Sequence, residues 1–467
     1  MKKAVLWGAI GCVVLLSGCA TSSVFSPYPS QVAGIKQQVA VGEFAAAQTV
    51  LEKKSQGADK ILYLMERGRI AQIAGDIDAS IQDYEQVLAE FDAKEAAAKI
   101  TASGTAGKAG AVLLNENAIP YEGNAYERIF VHSFQALNFL QQNNLEAAAV
   151  EVRRANLEQQ LALLANEDEV IEAEAADDDA RKEAMILGRN RDYKQKFSSL
   201  TSLSSKVKNS FQNAYSFYVS GLIYEINGDY NDAYIDYKKA LEIYPANRYL
   251  RDDVIRLAQQ LGMDEDLERL KGRLATGGLK RPVKGEGKLV VLYEQGYVPE
   301  KKEINILIDL RGVPNNMVFP TYFDRPQNYR PLVIGLSGER LGDTETIVEP
   351  AAMAAKALEE QLLGMIVRQG LRVIAREQLK DNQRDSAFGM LAGIGQLLLN
   401  RADLRSWLTL PAEVQILHAA AGEGEQTLTL RDGIRSDEIT VNVRPGHVTV
   451  VHVIAAGGRL RARAITI

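Results

Sequence analysis

The stretch from Phe217 to Pro245 constrains this chain more than any other. It runs Phe217-Tyr218-Val219-Ser220-Gly221-Leu222-Ile223-Tyr224, then Gly228-Asp229-Tyr230, then Ala233, Tyr237, Ala240 and Pro245. Large and small residues recur at helical spacing on both sides of the Gly-Asp turn, which is the pattern of two antiparallel helices packed closely together. Gly221, Ala233 and Ala240 let the helices approach, and Phe217, Tyr224 and Tyr237 fill the space beside them. Pro245 cannot continue the second helix and marks its end. A hairpin of this kind cannot bury its own faces, so it implies neighbours.

The order aromatic, small, aromatic, then small, aromatic and a closing proline resembles a tetratricopeptide (TPR) repeat of ~34 residues. Only Ser220 departs, where the pattern prefers a larger apolar residue. The turn has earlier counterparts. Gly42-Glu43-Phe44 is followed by Ala47 and Leu51, Gly75-Asp76-Ile77 by Ser80 and Tyr84, and Asn143-Asn144-Leu145 by Ala148, Val152 and Ala155. Gly68 and Ala136 precede their turns as Gly221 precedes Gly228. The spacing predicts at least four helix pairs between residues 34 and 275, with room for an insertion before the last.

Composition bounds the rest. A chain of 467 residues with 46% apolar and 24% charged residues is globular and too long for one ordinary domain. A formal net charge of −6 argues against a sequence-independent nucleic-acid binder. The two cysteines, Cys12 and Cys19, leave no disulfide framework beyond the N-terminus. Of the four histidines, His447 and His452 share one strand-like run but point to opposite faces, so neither a metal site nor a cofactor is expected.

The N-terminus reads as an address. Met1-Lys2-Lys3 is positive, Ala4 to Leu16 is apolar, and Leu16-Ser17-Gly18-Cys19 closes the run. That run is short for a bilayer span, which takes about 20 residues, and suits a signal-peptide core ending at residue 18. The closing residues resemble a bacterial lipobox. The resemblance implies acylation of Cys19, and several acyl chains give stable anchoring. Ala20 follows the cysteine where an aspartate would signal retention. By the sorting rule of enterobacterial-type lipoproteins this implies the outer membrane, with the periplasmic face expected. Residues 19 to 33, rich in Ser and Pro, read as a tether.

Two segments interrupt the helical pattern: Ala93 to Gly110, with a Gly-rich loop, and Gln159 to Leu203, an acidic run followed by a basic one. Between them, Pro120-Tyr121-Glu122-Gly123-Asn124-Ala125-Tyr126-Glu127-Arg128 enters a helix. Glu127 and Arg128 are placed to pair with Glu151, Arg153 or Arg154 on the next helix. TPR stacks hold peptides on the concave face through the first helix of each pair, which makes Tyr126, Arg128 and Asn138 the partner-binding candidates.

Beyond Leu274 the period changes. Residues 276 to 288 read as a linker, and 289 to 467 as a C-terminal antiparallel β domain, sandwich-like, with a helical insertion at 350 to 402. The insertion carries the stripe Met353, Ala357, Leu358, Leu362, Ile366, Leu371 and Ile374, then an almost wholly apolar run from Ala387 to Leu399. Asp403-Leu404-Arg405-Ser406-Trp407 reads as a structural corner in which Asp403 and Arg405 hold Trp407 and the strand entry.

The Tyr-Glu-Gly…Tyr-Glu-Arg stretch, Val150-Glu151-Val152-Arg153-Arg154 and the Asp403–Trp407 run resemble a little-characterised family of proteobacterial TPR lipoproteins. The fold expected is α+β multidomain, an N-terminal α-solenoid of TPR-like pairs and a C-terminal β domain. No nucleophile elbow, P-loop, dinucleotide fingerprint or zinc-protease motif occurs. The expectation is a non-enzymatic, lipid-anchored envelope scaffold that binds protein partners. The alternatives are an accessory lipoprotein of a secretion or surface-appendage complex and, behind it, an envelope-polymer hydrolase.

Overall fold

The computed structural model describes residues 26–55, 57, 59–101, 117, 119–174, 190–273, 285–310, 313–323, 329–380 and 401–467. The expected signal sequence, Cys19, the Gly-rich loop, residues 175–189 of the acidic and basic runs and the apolar run from Ala387 to Leu399 lie outside the described residues.

The first half is helical: α1 (Tyr28–Val41), α2 (Phe44–Lys54), α3 (Lys60–Ala74), α4 (Ile77–Thr101), α5 (Ala125–Gln141), α6 (Leu145–Glu174), α7 (Arg191–Ser204), α8 (Ala214–Asn227), α9 (Tyr230–Ile243), α10 (Arg248–Leu261) and α11 (Asp264–Arg273). One device closes five hairpins. At the end of α1, α3, α5, α8 and α10 the chain turns through a left-handed residue: Gly42, Gly75, Asn143, Gly228 and Gly262, with φ from 57° to 94°. In each, the next amide donates to the carbonyl five residues back, as from Asp229 to Tyr224 and from Asp76 to Ala71. The fifth hairpin, α10 with α11, extends the expected four. Its signal was the spacing of Gly262 after Gly228; the aromatic and small positions of the pattern are absent from it.

Helix approach follows the same rule in separate repeats. A Cβ added at Gly221 would stand 2.7 Å from the Tyr237 ring, and one at Gly68 would stand 2.8 Å from the Tyr84 ring. The α5–α6 pair reaches the same end with Ala136 opposite the smaller Val152, both buried. Helix α1 begins at Tyr28 and buries Tyr28, Pro29 and Val32, so the last part of the expected tether belongs to the stack.

The β region holds β1 (Glu286–Gln295), β2 (Lys302–Leu310), β3 (Val313–Thr321), β4 (Val333–Leu336), β5 (Glu339–Asp343), β6 (Glu345–Val348), then α12 (Pro350–Lys380), and then β7 (Glu413–Gly422), β8 (Gly424–Arg431), β9 (Ser436–Val443), β10 (Val448–Ala456) and β11 (Arg459–Thr466). They form a five-stranded sheet of order β11-β10-β1-β7-β6, a four-stranded sheet of order β5-β4-β8-β9 and the β2–β3 hairpin. The expectation of a purely antiparallel domain is corrected: β1 runs parallel to β10, Lys288 opposite Val448, and antiparallel to β7. A parallel pair needs a long crossover, and here most of the domain intervenes between β1 and β10. Strand β3 escaped the sequence reading because Pro314, Asn315, Asn316 and Pro320 break its strand signal.

One buried apolar cluster runs without a break from Tyr28 in α1 to Leu460 in β11. The helical stack and the sheets therefore share a core.

Opposite signs are expected at two glycines. Gly221→Ala should lower stability by about 1–3 kcal/mol through overpacking against Tyr237. Gly34→Ala, at an exposed position of α1 with nothing near the added methyl, should raise it by about 0.5–1 kcal/mol. Thermal unfolding midpoints of the two variants check both.

Candidate functional site

Helix α3 lies at the centre of the stack and is buried on every face except at Lys60, Arg67 and Ala74. Its buried residues include Glu66, Arg69 and Gln72, with Asp59 just before its first turn. Beside it α5 buries Glu127, Phe134 and Asn138. Charged side chains in such places need partners, because an unpaired buried charge is expensive. The partners come from the other end of the chain.

Residues 402 to 409, between α12 and β7, lie along this helical face as a peptide would. The Trp407 amide donates to Glu127 Oε1 at 2.7 Å. The Leu408 amide donates to Glu66 Oε1 at 2.7 Å, and the Thr409 amide to Glu66 Oε2 at 3.0 Å. The Thr409 hydroxyl also donates to Glu66, and the Tyr28 hydroxyl does so at 3.1 Å. Upstream, Arg405 donates to Asp59 Oδ1 at 2.7 Å and to the Ile119 carbonyl at 2.8 Å, and it is held by Asp403. The Trp407 ring is fully buried, edge-on to Tyr84 and Phe134 with centroids 6.0 and 5.8 Å away. Its indole nitrogen donates to Thr409 Oγ1 at 3.1 Å. Burial pushes the Glu66 carboxyl up to about 7, and the hydrogen bonds from Thr409, Leu408 and Tyr28 oppose it.

Of the partner-binding candidates, Tyr126 reaches this contact through Glu127, while Asn138 and Arg128 are engaged by neighbouring helices. Tyr126 is buried, with its hydroxyl 3.2 Å from Glu127 Oε1. Asn138 is buried, accepting from Gln72 at 2.8 Å and donating to Ser80 at 2.8 Å. Arg128 pairs with Glu95 and with Glu158, and its guanidinium lies 4.5 Å from the centre of the Phe91 ring. Tyr126 and Asn138 thus serve the chain's own packing. The expected pairing with the following helix holds for Arg128, whose partner there is Glu158 rather than Glu151, and is corrected for Glu127. Glu127 takes the Tyr121 hydroxyl and the Asn124 and Trp407 amides, while Glu151 takes His132 at 2.7 Å. The Asp403–Trp407 run is a strap across the helices rather than a corner of the β domain: Asp403 pairs with Arg405, and Trp407 is held by Glu127 and Thr409 instead. Glu66 escaped the reading. Its signal was an acid in line with the apolar residues Leu62 and Ile73 on one helix face.

Further ionic contacts fasten the two halves. Arg69 pairs with Glu294 of β1, which accepts from His452 Nε2 at 2.7 Å. Burial alone would raise the Glu294 carboxyl, but Arg69 and His452 outweigh it and hold it low. Lys288 of β1 reaches Glu225 at 2.9 Å and Asp253 at 2.6 Å, and Arg256 reaches both acids at 2.7 Å.

A cleft of about 1080 Å³ opens where α1, the end of α7, the start of α12 and the sheets meet. Glu349 and Glu413 line it, as do Tyr297, Phe323 and Tyr329. Among the described residues no group of three or more His, Cys, Asp or Glu is placed to hold a metal ion. Among them, too, no helix is long and apolar enough to cross a membrane.

Residues 214–247 match the tetratricopeptide repeat family model. The chain contains a tetratricopeptide repeat. The match covers α8 and α9, the hairpin with the fullest pattern of small and aromatic residues. No curated protein matches the chain. Solved structures with some likeness include MamA, with 11% identity and a TM-score of 0.28 over 51% of this chain and 90% of that one. A MamA structure from MSR-1 has 14% identity and a TM-score of 0.26 over 53% and 99%. BtubC from P. vanneervenii has 12% identity and a TM-score of 0.28 over 53% and 82%.

Two substitutions test the strap. Trp407→Ala should cost about 3–5 kcal/mol, measured by chemical denaturation, because the ring is wholly buried. Glu66→Gln leaves some of the four donors without an acceptor and should cost about 1–3 kcal/mol. The pH dependence has a definite sign. Between the ordinary value of 4.5 and about 7 the folded chain keeps a proton that the unfolded chain has released. Glu66's contribution is therefore fully present below 4.5 and falls as pH rises through about 7. The deficit of Glu66→Gln should accordingly be larger at about pH 5 than at about pH 8.

Proposed function

We propose that this chain is a lipid-anchored scaffold of a bacterial cell envelope, held at the outer membrane through acylated Cys19 and engaging protein partners without chemistry of its own. The single observation that carries the reading is the tetratricopeptide repeat at 214–247, built as a full hairpin in α8 and α9. Repeats of this kind supply extended surfaces for protein contact. The lipobox-like Leu16-Ser17-Gly18-Cys19 supports the anchor, and Ala20 supports the outer membrane. Envelope or peptidoglycan assembly is the setting we favour, by analogy with other TPR lipoproteins.

The strap refines where a partner would sit. The face formed by α3 and α5 is filled by residues 402 to 409, so contact falls on the later hairpins, α8 to α11, and on the outer surfaces of the sheets. Tyr230 and Ile235 of α9 are exposed large residues on that part of the stack.

Crosslinking in intact cells, followed by identification of the attached proteins, tests the scaffold. The expected outcome is a protein whose recovery falls when Tyr230 and Ile235 are changed to Asp. Recovery of no protein dependent on the repeats would defeat the reading. For the anchor, Cys19→Ala should move the protein from the membrane fraction to the soluble fraction, with loss of lipid mass from the mature product.

A further inference from the structure

The cleft between the stack and the sheets is separate from the strap and from the hairpins assigned to partners. We propose that it binds an uncharged, polyhydroxylated chain, that is, a segment of glycan.

Its size comes first. At about 1080 Å³ it stands at the upper end of ligand pockets, more than one small metabolite fills. Charge comes next. Its cations already have partners: Lys36 and Lys302 each lie 3.3 Å from Glu300, Lys206 lies 2.5 Å from Glu349, and Arg435 is paired with Asp432. A strongly anionic ligand would have to break one of these pairs. The paired groups still carry capacity. An ammonium has three donors and a carboxylate about four acceptor sites, so one ion pair leaves donors and acceptors side by side. The group that matches such a surface is the hydroxyl, which is donor and acceptor at once. Glu413 adds to it. Its carboxylate is fixed by Thr346 at 3.0 Å and by Gln415, so it is held in place before a ligand arrives.

The third observation is aromatic. Tyr297, Tyr329 and Phe323 line the same cleft, and Phe323 is 45% exposed. An exposed ring such as Phe323 is costly surface and offers flat apolar area to a ligand. Sugar rings present just that combination, a C–H face for an aromatic plate and a rim of hydroxyls for paired charges. A peptide has fewer hydroxyls and would rely on its main-chain groups.

The test is calorimetric titration of the full chain in detergent with cellotetraose, maltotetraose and chitotetraose, each up to about 5 mM. At least one should bind saturably, with an affinity changed less than about twofold between low and high salt, since no net charge is engaged. Phe323→Ala, at the exposed rim, should weaken binding about fivefold with an unchanged unfolding midpoint. Glu349→Gln should weaken it as well. The proposal is overturned if none of the three binds. It is equally overturned if tetragalacturonate or tetra-alanine binds in their place, or if both variants bind as the parent does. None of these outcomes depends on the anchor or on a protein partner, so the cleft and the scaffold stand or fall separately.

Discussion

Two buried carboxylates, Glu66 and Glu127, take the main-chain amides of Trp407, Leu408 and Thr409, and the rest of the structure depends on that exchange. Each side needs the other. A carboxylate inside a helical stack is costly without donors, and an extended strap inside a core is costly without acceptors. Breaking a buried arrangement of this kind leaves charges or amides stranded, which costs far more than the bonds contribute when intact. The strap and the stack are therefore bound to one another's presence.

Repeat stacks ordinarily end in exposed faces that need capping. Here the sheets meet the ends of individual helices. Arg463 of β11 donates to the carbonyls of Gln72 and Ile73 at the end of α3, meeting the acceptors that a helix leaves unpaired at its C-terminus. Asn247 caps α10 by accepting from the Leu250 amide, while its side-chain nitrogen donates to the carbonyls of Glu345 and Thr346. Lys288, Glu225, Asp253 and Arg256 form a second ionic join between α8, α10 and β1. Helices and strands are locked by polar contacts at several separated points, with a shared apolar core between them. The junction cleft is a product of that locking, because α1, α7, α12 and the sheets each supply part of its wall.

Much of the helical half was legible, and the residues say why. Gly68, Gly75, Tyr84, Gly221, Gly228 and Tyr237 report local needs, a left-handed turn or a close approach, and those needs select residue type directly. The α10–α11 hairpin kept the turn glycine but lost the small and aromatic positions, so its signal shrank to a spacing. In the β half, strands rich in Val and Ile were evident, while β3 with its prolines and the short β5 and β6 were not. Strand propensity is weak and context decides it. The parallel alignment of β1 and β10 left no local mark. The candidate site was the least legible part. Tyr126 and Asn138 were read as partner-binding positions, but nothing near them in sequence states that their side chains are buried against other helices.

The sequence by itself determined the helical hairpins, their turns and the change of period near residue 289, because each is written within a few tens of residues. Only the tertiary structure decided that residues 402 to 409 lie across α3 and α5, and that Glu66 and Glu127 face amides far along the chain. The reason is physical. A main-chain amide is the same at every position, so its acceptor exerts no choice on the residue that donates, and such a contact leaves no trace in the order of amino acids.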